Sequence, residues 1–244
     1  VAGTDIQITR DRHRLEVLDK DGRPATIPAA GIDPLRRHPE GTQVMATFKI
    51  GYLVGSLARN SINRTLSTAL INLAPPELEF SEIPIRDLPL YSSDYDDDYP
   101  PTGRMFKSLV EASDGVLFIS PEYNRSIPGA LKNAIDWGSR PWGANSFARK
   151  PTGIIGASPG GIGTAVMQSS MRSVLSFLDA PQLNSPEAYI QFDAEVFTPD
   201  GEVTNDDTRA FLRHYMDEYS AFVQRVLAAN APGHIGDQEP YAHA

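Results

Sequence analysis

The 244-residue chain contains no cysteine. That absence removes disulfides, thiolate metal sites and a cysteine nucleophile, so any redox chemistry must be brought in by a cofactor. Histidine is scarce as well: the five present show no ligand spacing, and no metal site is expected. No run approaches the roughly 18 apolar residues of a membrane span, and no charged segment leading into an apolar one marks a secretory signal. A cytoplasmic protein with no membrane partner is expected. Positive charge is in deficit, with 22 Lys and Arg against 31 Asp and Glu and a formal net charge of −9, which favours solubility and argues against generic nucleic-acid binding. The acidic run "DYDDDY" (94–99) is not an EF-hand, because Tyr99 stands where such a loop needs glycine; a solvated loop near a pocket mouth is expected instead.

What is present divides the chain in two. Residues 1–44 carry charges of both signs and prolines at 24, 28, 34 and 39, with no helical periodicity. They could at most form a small hairpin around Asp21-Gly22 in "RLEVLDKDGRPATI". Met45 then opens "MATFKIGYLVGS", which runs straight into a buried strand. Residues 1–44 are expected to be an upstream or added extension, residues 45–230 the working domain, and 231–244 a tail.

From residue 46 the pattern alternates. "TFKIGYLVG", "LEFSEI", "GVLFIS" and "PTGIIGAS" are short apolar runs rich in β-branched and aromatic residues, with a further short strand expected near "PQLN" (181–184). Between them lie helical spacings, the first with Ile62, Leu66, Ala69, Leu70 and Leu73 on one face, and a long closing helix is capped by Asn205 or Asp206. Apolar strands alternating with helices imply an α/β domain, a three-layer doubly wound five-stranded parallel sheet. Such sheets bind ligands at the carboxyl ends of their strands, so the loops after the first, third and fourth strands carry the function.

The last of these loops, "GASPGGIG" (156–163), matches two incompatible patterns. Gly156-Ala-Ser158-Pro-Gly160 fits the G-x-S-x-G turn of a serine hydrolase. There the residue after the serine donates its N–H to the oxyanion, and here it is Pro159, which has none; the loss is worth roughly 3 kcal/mol of transition-state stabilisation. A dinucleotide fingerprint fails too, since glycines at 156, 160, 161 and 163 do not fall in G-x-G-x-x-G register.

The first loop, "GSLARNSIN" (55–63), offers hydroxyl, guanidinium and amide donors from Ser56, Arg59, Ser61 and Asn63 beside a helix start. A single phosphate fits there, and so does a plain capped helix; no Gly-Lys-Ser/Thr makes it a Walker loop. The middle loop, "SPEYNRSIPGALKNAIDW" (120–137), is stiffened by Pro121 and Pro128 and brings Tyr123 and Trp137 to a strand end. A rigid loop of this kind suits a flat heterocycle bonded in its own plane.

Taken together, "GSLxxxSxNR", "PEYNxSIPGxLKNAIDW" and "SPGGIG" resemble the NAD(P)H-dependent FMN reductase family, which includes quinone- and chromate-reducing members, over roughly residues 46–228. The resemblance implies a flavodoxin-like fold, non-covalent FMN, NADPH or NADH as donor, and a homodimer or homotetramer. It implies that Ser56, Arg59, Ser61, Ile62 and Asn63 hold the FMN phosphate and that Pro121, Glu122, Tyr123, Asn124 and Ser126 line the ring. Ser158, Gly160 and Gly161 would approach it from the other side, Ser158 as a hydrogen-bond donor and not a nucleophile. Family members commonly carry arginine directly after "GSL", where this chain has Ala58 followed by Arg59.

The expected activity is electron transfer through flavin N5 to a quinone, a free flavin or an oxidised metal anion, with no catalytic side chain required. A non-catalytic FMN carrier or sensor and a Ser158 hydrolase are the alternatives. Arg125 and Arg140 flank the ring segment and are candidates for the NAD(P)H phosphates or an anionic acceptor, surface ion pairing being the equal alternative. Leu131, Ile135, Trp137 and Trp142 present more apolar surface than one sheet face is expected to absorb, which points to a subunit contact. Met105 and Phe106 are assigned to the core or to that contact.

Overall fold

A computed structural model describes residues 7–11, 14–18 and 46–231. They fall into two units, Val1–Gln43 and Val44–Ala244. In the first, β1 (Gln7–Asp11) pairs antiparallel with β2 (Arg14–Leu18), from Gln7 opposite Leu18 to Asp11 opposite Arg14. The strand in "RLEVL" forms as its alternation predicts, and its partner among the described residues is the strand that precedes it. Alternation fixes the faces of a strand and says nothing of which neighbour it pairs with. Asp21-Gly22 itself lies outside the described residues.

The second unit contains β3 (Phe48–Val54), β4 (Leu78–Glu82), β5 (Gly115–Ile119), β6 (Thr152–Ser158) and β7 (Tyr189–Gln191), hydrogen-bonded in the order β4-β3-β5-β6-β7, every pair parallel. Counted within this unit the order is 2-1-3-4-5, the flavodoxin-like arrangement, with its switch point between β3 and β5. The fifth strand lies further along the chain than expected. "PQLN" makes a single bridge, Gln182 to Thr152, at the start of β6, and the ladder resumes only at Tyr189 opposite Gly156. Pro186 lies in the gap and removes a donor from the run.

Helices α1 (Ile62–Leu73) and α5 (Asp206–Ala229) cover one face of the sheet, and α2 (Pro101–Glu111), α3 (Gly129–Ser139) and α4 (Ala165–Phe177) the other. β5 is buried throughout, and its side chains alternate: Leu117 and Ile119 join the α1/α5 core, while Val116 and Phe118 join the other. Asn205 caps α5, its side chain accepting from Thr208 N at 2.9 Å.

Within one chain most of the apolar surplus predicted for α3 is absorbed. Leu131, Ile135 and Trp137 are all fully buried. Tyr91, Tyr95 and Tyr99 surround Trp137 with ring centroids 5.0–5.4 Å away, and its indole N–H donates to Pro89 O at 2.7 Å. The loop with the acidic run is therefore anchored by its tyrosines while Asp94, Asp97 and Asp98 stay exposed. Phe106 is buried; Met105 and Trp142 remain 55% and 64% exposed.

Candidate functional site

The loops after β3, β5 and β6 meet at the carboxyl edge of the sheet. Gly55 N bonds Ile119 O at 2.8 Å, and a Cβ on Gly156 would stand 2.0 Å from Ser120 O, so the strand ends touch with no room for a side chain. In the loop before α1, Ser56 Oγ accepts from Ala58 N at 3.3 Å and lies 3.5 Å from Tyr123 Oη. Ser61 is the N-cap residue of α1, only 7% exposed, and its Oγ has no partner among the described residues. The first N–H groups of α1, from Ile62 and Asn63, lie ahead of the first intrahelical bonds and point out of the helix. No acidic residue occupies its first turn, so the positive helix end faces the loop uncompensated. Arg59 is exposed and makes no ion pair among the described residues, whereas Arg64 is taken up by Glu82 through two bonds of 2.9 Å.

The side chain of Asn63 departs from its expected role. It is buried, donating from Nδ2 to Ala157 O at 2.9 Å and accepting at Oδ1 from Ala157 N at 2.8 Å. Both ends of the amide are engaged with β6, and only the backbone of Asn63 remains for a ligand. The reason is periodicity: position 63 lies on the same inward stripe as Leu66, Ser67 and Leu70.

In the middle loop Tyr123 and Ser126 exchange two backbone bonds, of 3.2 and 3.0 Å, across Asn124 and Arg125, both at positive φ (51° and 61°). This is a type I′ turn, comfortable for asparagine and strained for arginine. The Glu122 side chain also departs from expectation. Its Oε2 accepts from Val166 N and Met167 N, both at 3.0 Å, in the first turn of α4, and its Oε1 pairs with Arg125 at 3.4 Å. The carboxylate clamps the middle loop to the helix that follows the third loop, and so is not free for a ligand. Glu122→Ala is expected to weaken ligand binding between the loops by roughly 10-fold or more, since two charge-assisted bonds are lost. Glu122→Gln keeps an oxygen that can accept both bonds and should stay near wild type, as measured by equilibrium titration.

In the third loop Ser158 Oγ accepts from Gly160 N at 3.2 Å, its only hydrogen bond among the described residues. His214, the one described histidine, sits on α5 and makes no bond to it, so among the described residues Ser158 has no histidine base. Gly163, at φ +58°, is required by the fold: a Cβ there would press on the Tyr189 backbone at 2.7 Å. Gly160 and Gly161 are not required by it, since a Cβ would meet nothing nearer than 3.6 Å and 4.0 Å. Two adjacent exposed glycines that the protein does not need leave room for a ligand surface.

Comparison with known proteins decides between the remaining readings. Residues 48–195 match the family model described as NADPH-dependent FMN reductase. The chain belongs to the NADPH-dependent FMN reductase family. It is 48% identical over 177 residues to a 2-hydroxy-1,4-benzoquinone reductase from a Burkholderia species, covering 72% of this chain and 97% of that protein. A quinone reductase from Pseudomonas putida is 43% identical over 178 residues, covering 72% and 95%. Among solved structures, the flavoenzyme NAD(P)H:(acceptor) oxidoreductase FerB from Paracoccus denitrificans superposes with a TM-score of 0.71 at 42% identity, covering 73% and 98%.

As an FMN reductase the chain is an oxidoreductase with FMN as cofactor and NAD(P)H as donor. The residues present fit that cofactor. The buried, unpartnered Ser61 Oγ at an uncompensated helix start suits a phosphate, and the open backbone at Gly160 and Gly161 suits a planar ring. Pro121 is buried at the root of the middle loop, while Tyr123, Asn124 and Ser126 are exposed at its tip.

The two arginines part company. Arg125 projects from the turn beside the cleft, with a side chain 67% exposed. Arg140 lies beyond the far end of α3, whose 11 residues carry it about 16 Å back toward the other edge of the sheet, so it does not join Arg125 at the cleft. There its Nε donates to Tyr91 Oη at 3.2 Å, and Tyr91 donates to Asp96 at 2.7 Å. Burial and the Asp96 bond push the Tyr91 phenol up, keeping it a donor. Among the described residues no group of His, Asp and Glu could hold a metal ion, and no helix is long and apolar enough to cross a membrane.

Proposed function

We propose that this chain is an NAD(P)H-dependent quinone reductase whose cofactor and substrates share the cleft between the three loops. The chemistry supplied by bound FMN is acceptance of hydride from NAD(P)H at N5 and delivery of two electrons to the acceptor. The protein's part is to bind and orient. Ser56, Arg59, Ser61 and the backbone of Ile62 and Asn63 take the phosphate; Pro121 to Asn124, with Ser126, present backbone and the Tyr123 ring to one side of the flavin. Ser158, Gly160 and Gly161 approach from the other. The observation that carries this reading is the buried Ser61 hydroxyl with no partner among the described residues, at the head of a helix whose first turn holds no acid.

A quinone acceptor is supported by relatives named as quinone and hydroxybenzoquinone reductases. Arg125 favours an anionic acceptor, such as an ionised hydroxyquinone, or the phosphates of NAD(P)H. Free flavin and an oxidised metal anion such as chromate are further acceptors for the same open cleft. Steady-state assays should give parallel double-reciprocal lines for NAD(P)H and quinone. Absence of NAD(P)H-dependent quinone turnover in FMN-loaded protein would leave a carrier or sensor.

The enzyme works in the cytoplasm, where NAD(P)H is regenerated, as a homodimer or homotetramer. Leu90, Met105 and Trp142, exposed at 84%, 55% and 64%, supply apolar surface for association. Arg140 belongs to that contact and not to the cleft of its own chain.

Residues 1–44 are an extension to a domain spanning 45–230, and 231–244 a tail. A chain starting at Met45 should fold, bind FMN and reduce quinones as the longer chain does; loss of flavin or solubility would make the extension a working part.

A further inference from the structure

The loop before α1 is touched by a cation from another part of the chain. Arg86, on the segment after β4, donates from Nη2 to Leu57 O at 2.6 Å, reaching across 29 residues of sequence. That carbonyl lies between Ser56, whose hydroxyl turns into the loop, and Ala58, whose methyl group offers no donor. A guanidinium has five N–H donors. This one makes no other hydrogen bond and no ion pair among the described residues, and the adjacent Asp87 does not take it.

Arg59 supplies one guanidinium to a phosphate in this loop, and a dianion can take a second. Arg64 is committed to Glu82, and Arg59 is exposed with no bond of its own among the described residues. Ser61 Oγ, buried and unpartnered, marks where a ligand oxygen would arrive. We propose that Arg86 is a binding residue for the cofactor phosphate: fastened by one donor to Leu57 O, it offers the rest of its planar fork to the phosphate held at the start of α1. A fork of parallel donors fits phosphate oxygens better than a point charge does, and a guanidinium is less costly to strip of water than an ammonium. The proposal rests on the reading that this loop takes the FMN phosphate.

FMN and riboflavin differ only in that phosphate, so the ratio of their affinities isolates it. The full-length protein, stripped of flavin, is titrated with each ligand by flavin fluorescence, as wild type, R86M, R86K and S61A. R86M retains the apolar stem and should lower FMN affinity about 10-fold or more, leaving riboflavin within about twofold. R86K, which keeps charge without the fork, should fall between. S61A should lower the same ratio. If S61A lowers it and R86M does not, Arg86 is no phosphate contact and the phosphate loop stands. If R86M weakens both flavins equally, Arg86 shapes the loop and the proposal is overturned. If neither variant changes the ratio, the phosphate reading fails with it.

Discussion

Asn63→Ala is expected to destabilise the folded chain by about 2–5 kcal/mol, because two buried backbone groups of Ala157 lose their partners at once and an unmet buried group costs about 1–3 kcal/mol. The Asn63 amide behaves as one more peptide unit beside β6, donating and accepting as a neighbouring strand would. Nothing else replaces it, and the site is too enclosed for bulk water. For a domain of this size the loss corresponds to a fall in Tm of about 5–15 °C. Asn63→Asp should do no better near neutral pH, since a carboxylate would face the Ala157 carbonyl with no proton to give. FMN affinity should fall as well, because the bond holds the start of α1 against the loop that follows β6. A thermal melt within about 1 °C of wild type, with flavin retained, would show that the pair contributes nothing.

The second large effect is on the cofactor alone. Replacing Arg59 and Ser61 together by alanine removes a guanidinium and a hydroxyl from the phosphate, each worth roughly 1–3 kcal/mol, and should weaken FMN binding between roughly 30-fold and 10⁴-fold. Stability of the flavin-free protein should hardly change. Arg59 is exposed and unpaired among the described residues, and the Ser61 hydroxyl bonds nothing that would miss it. This separates the pair from Asn63: one set of residues serves the ligand, the other the fold. Equilibrium dialysis with FMN, alongside melting of the stripped protein, measures both. Unchanged FMN affinity would move the phosphate site elsewhere.

The sheet, its parallel sense and four of its five strands could be read from the sequence because apolar runs are bounded by turn residues and separated by helical spacings. β7 could not: three residues with only one buried side chain carry almost no periodic signal. The three site loops were identifiable from where doubly wound sheets bind ligands, and from motifs long enough to identify the family.

Side-chain assignments were harder. Motif matching treats each polar residue as a ligand contact, but Asn63 and Glu122 spend their side chains joining the loops to one another. For Asn63 a signal was present, in its place on the inward stripe of α1. For Glu122 there was none, since Val166 and Met167 lie far along the chain and meet it only through the fold. The bond from Arg86 to Leu57 O could not be read from the sequence for the same reason. Trp137 misled in the opposite direction, because two of the three tyrosines that bury it, Tyr95 and Tyr99, stand in an acidic run that reads as solvent-facing.

The most direct test of the account is an anaerobic titration of the purified full-length protein. It should carry close to one FMN per chain, lose its visible flavin absorbance on addition of about one equivalent of NADH or NADPH, and regain it when a hydroxybenzoquinone is added. A colourless protein that takes up no FMN, or bound flavin that neither nucleotide bleaches, would contradict it.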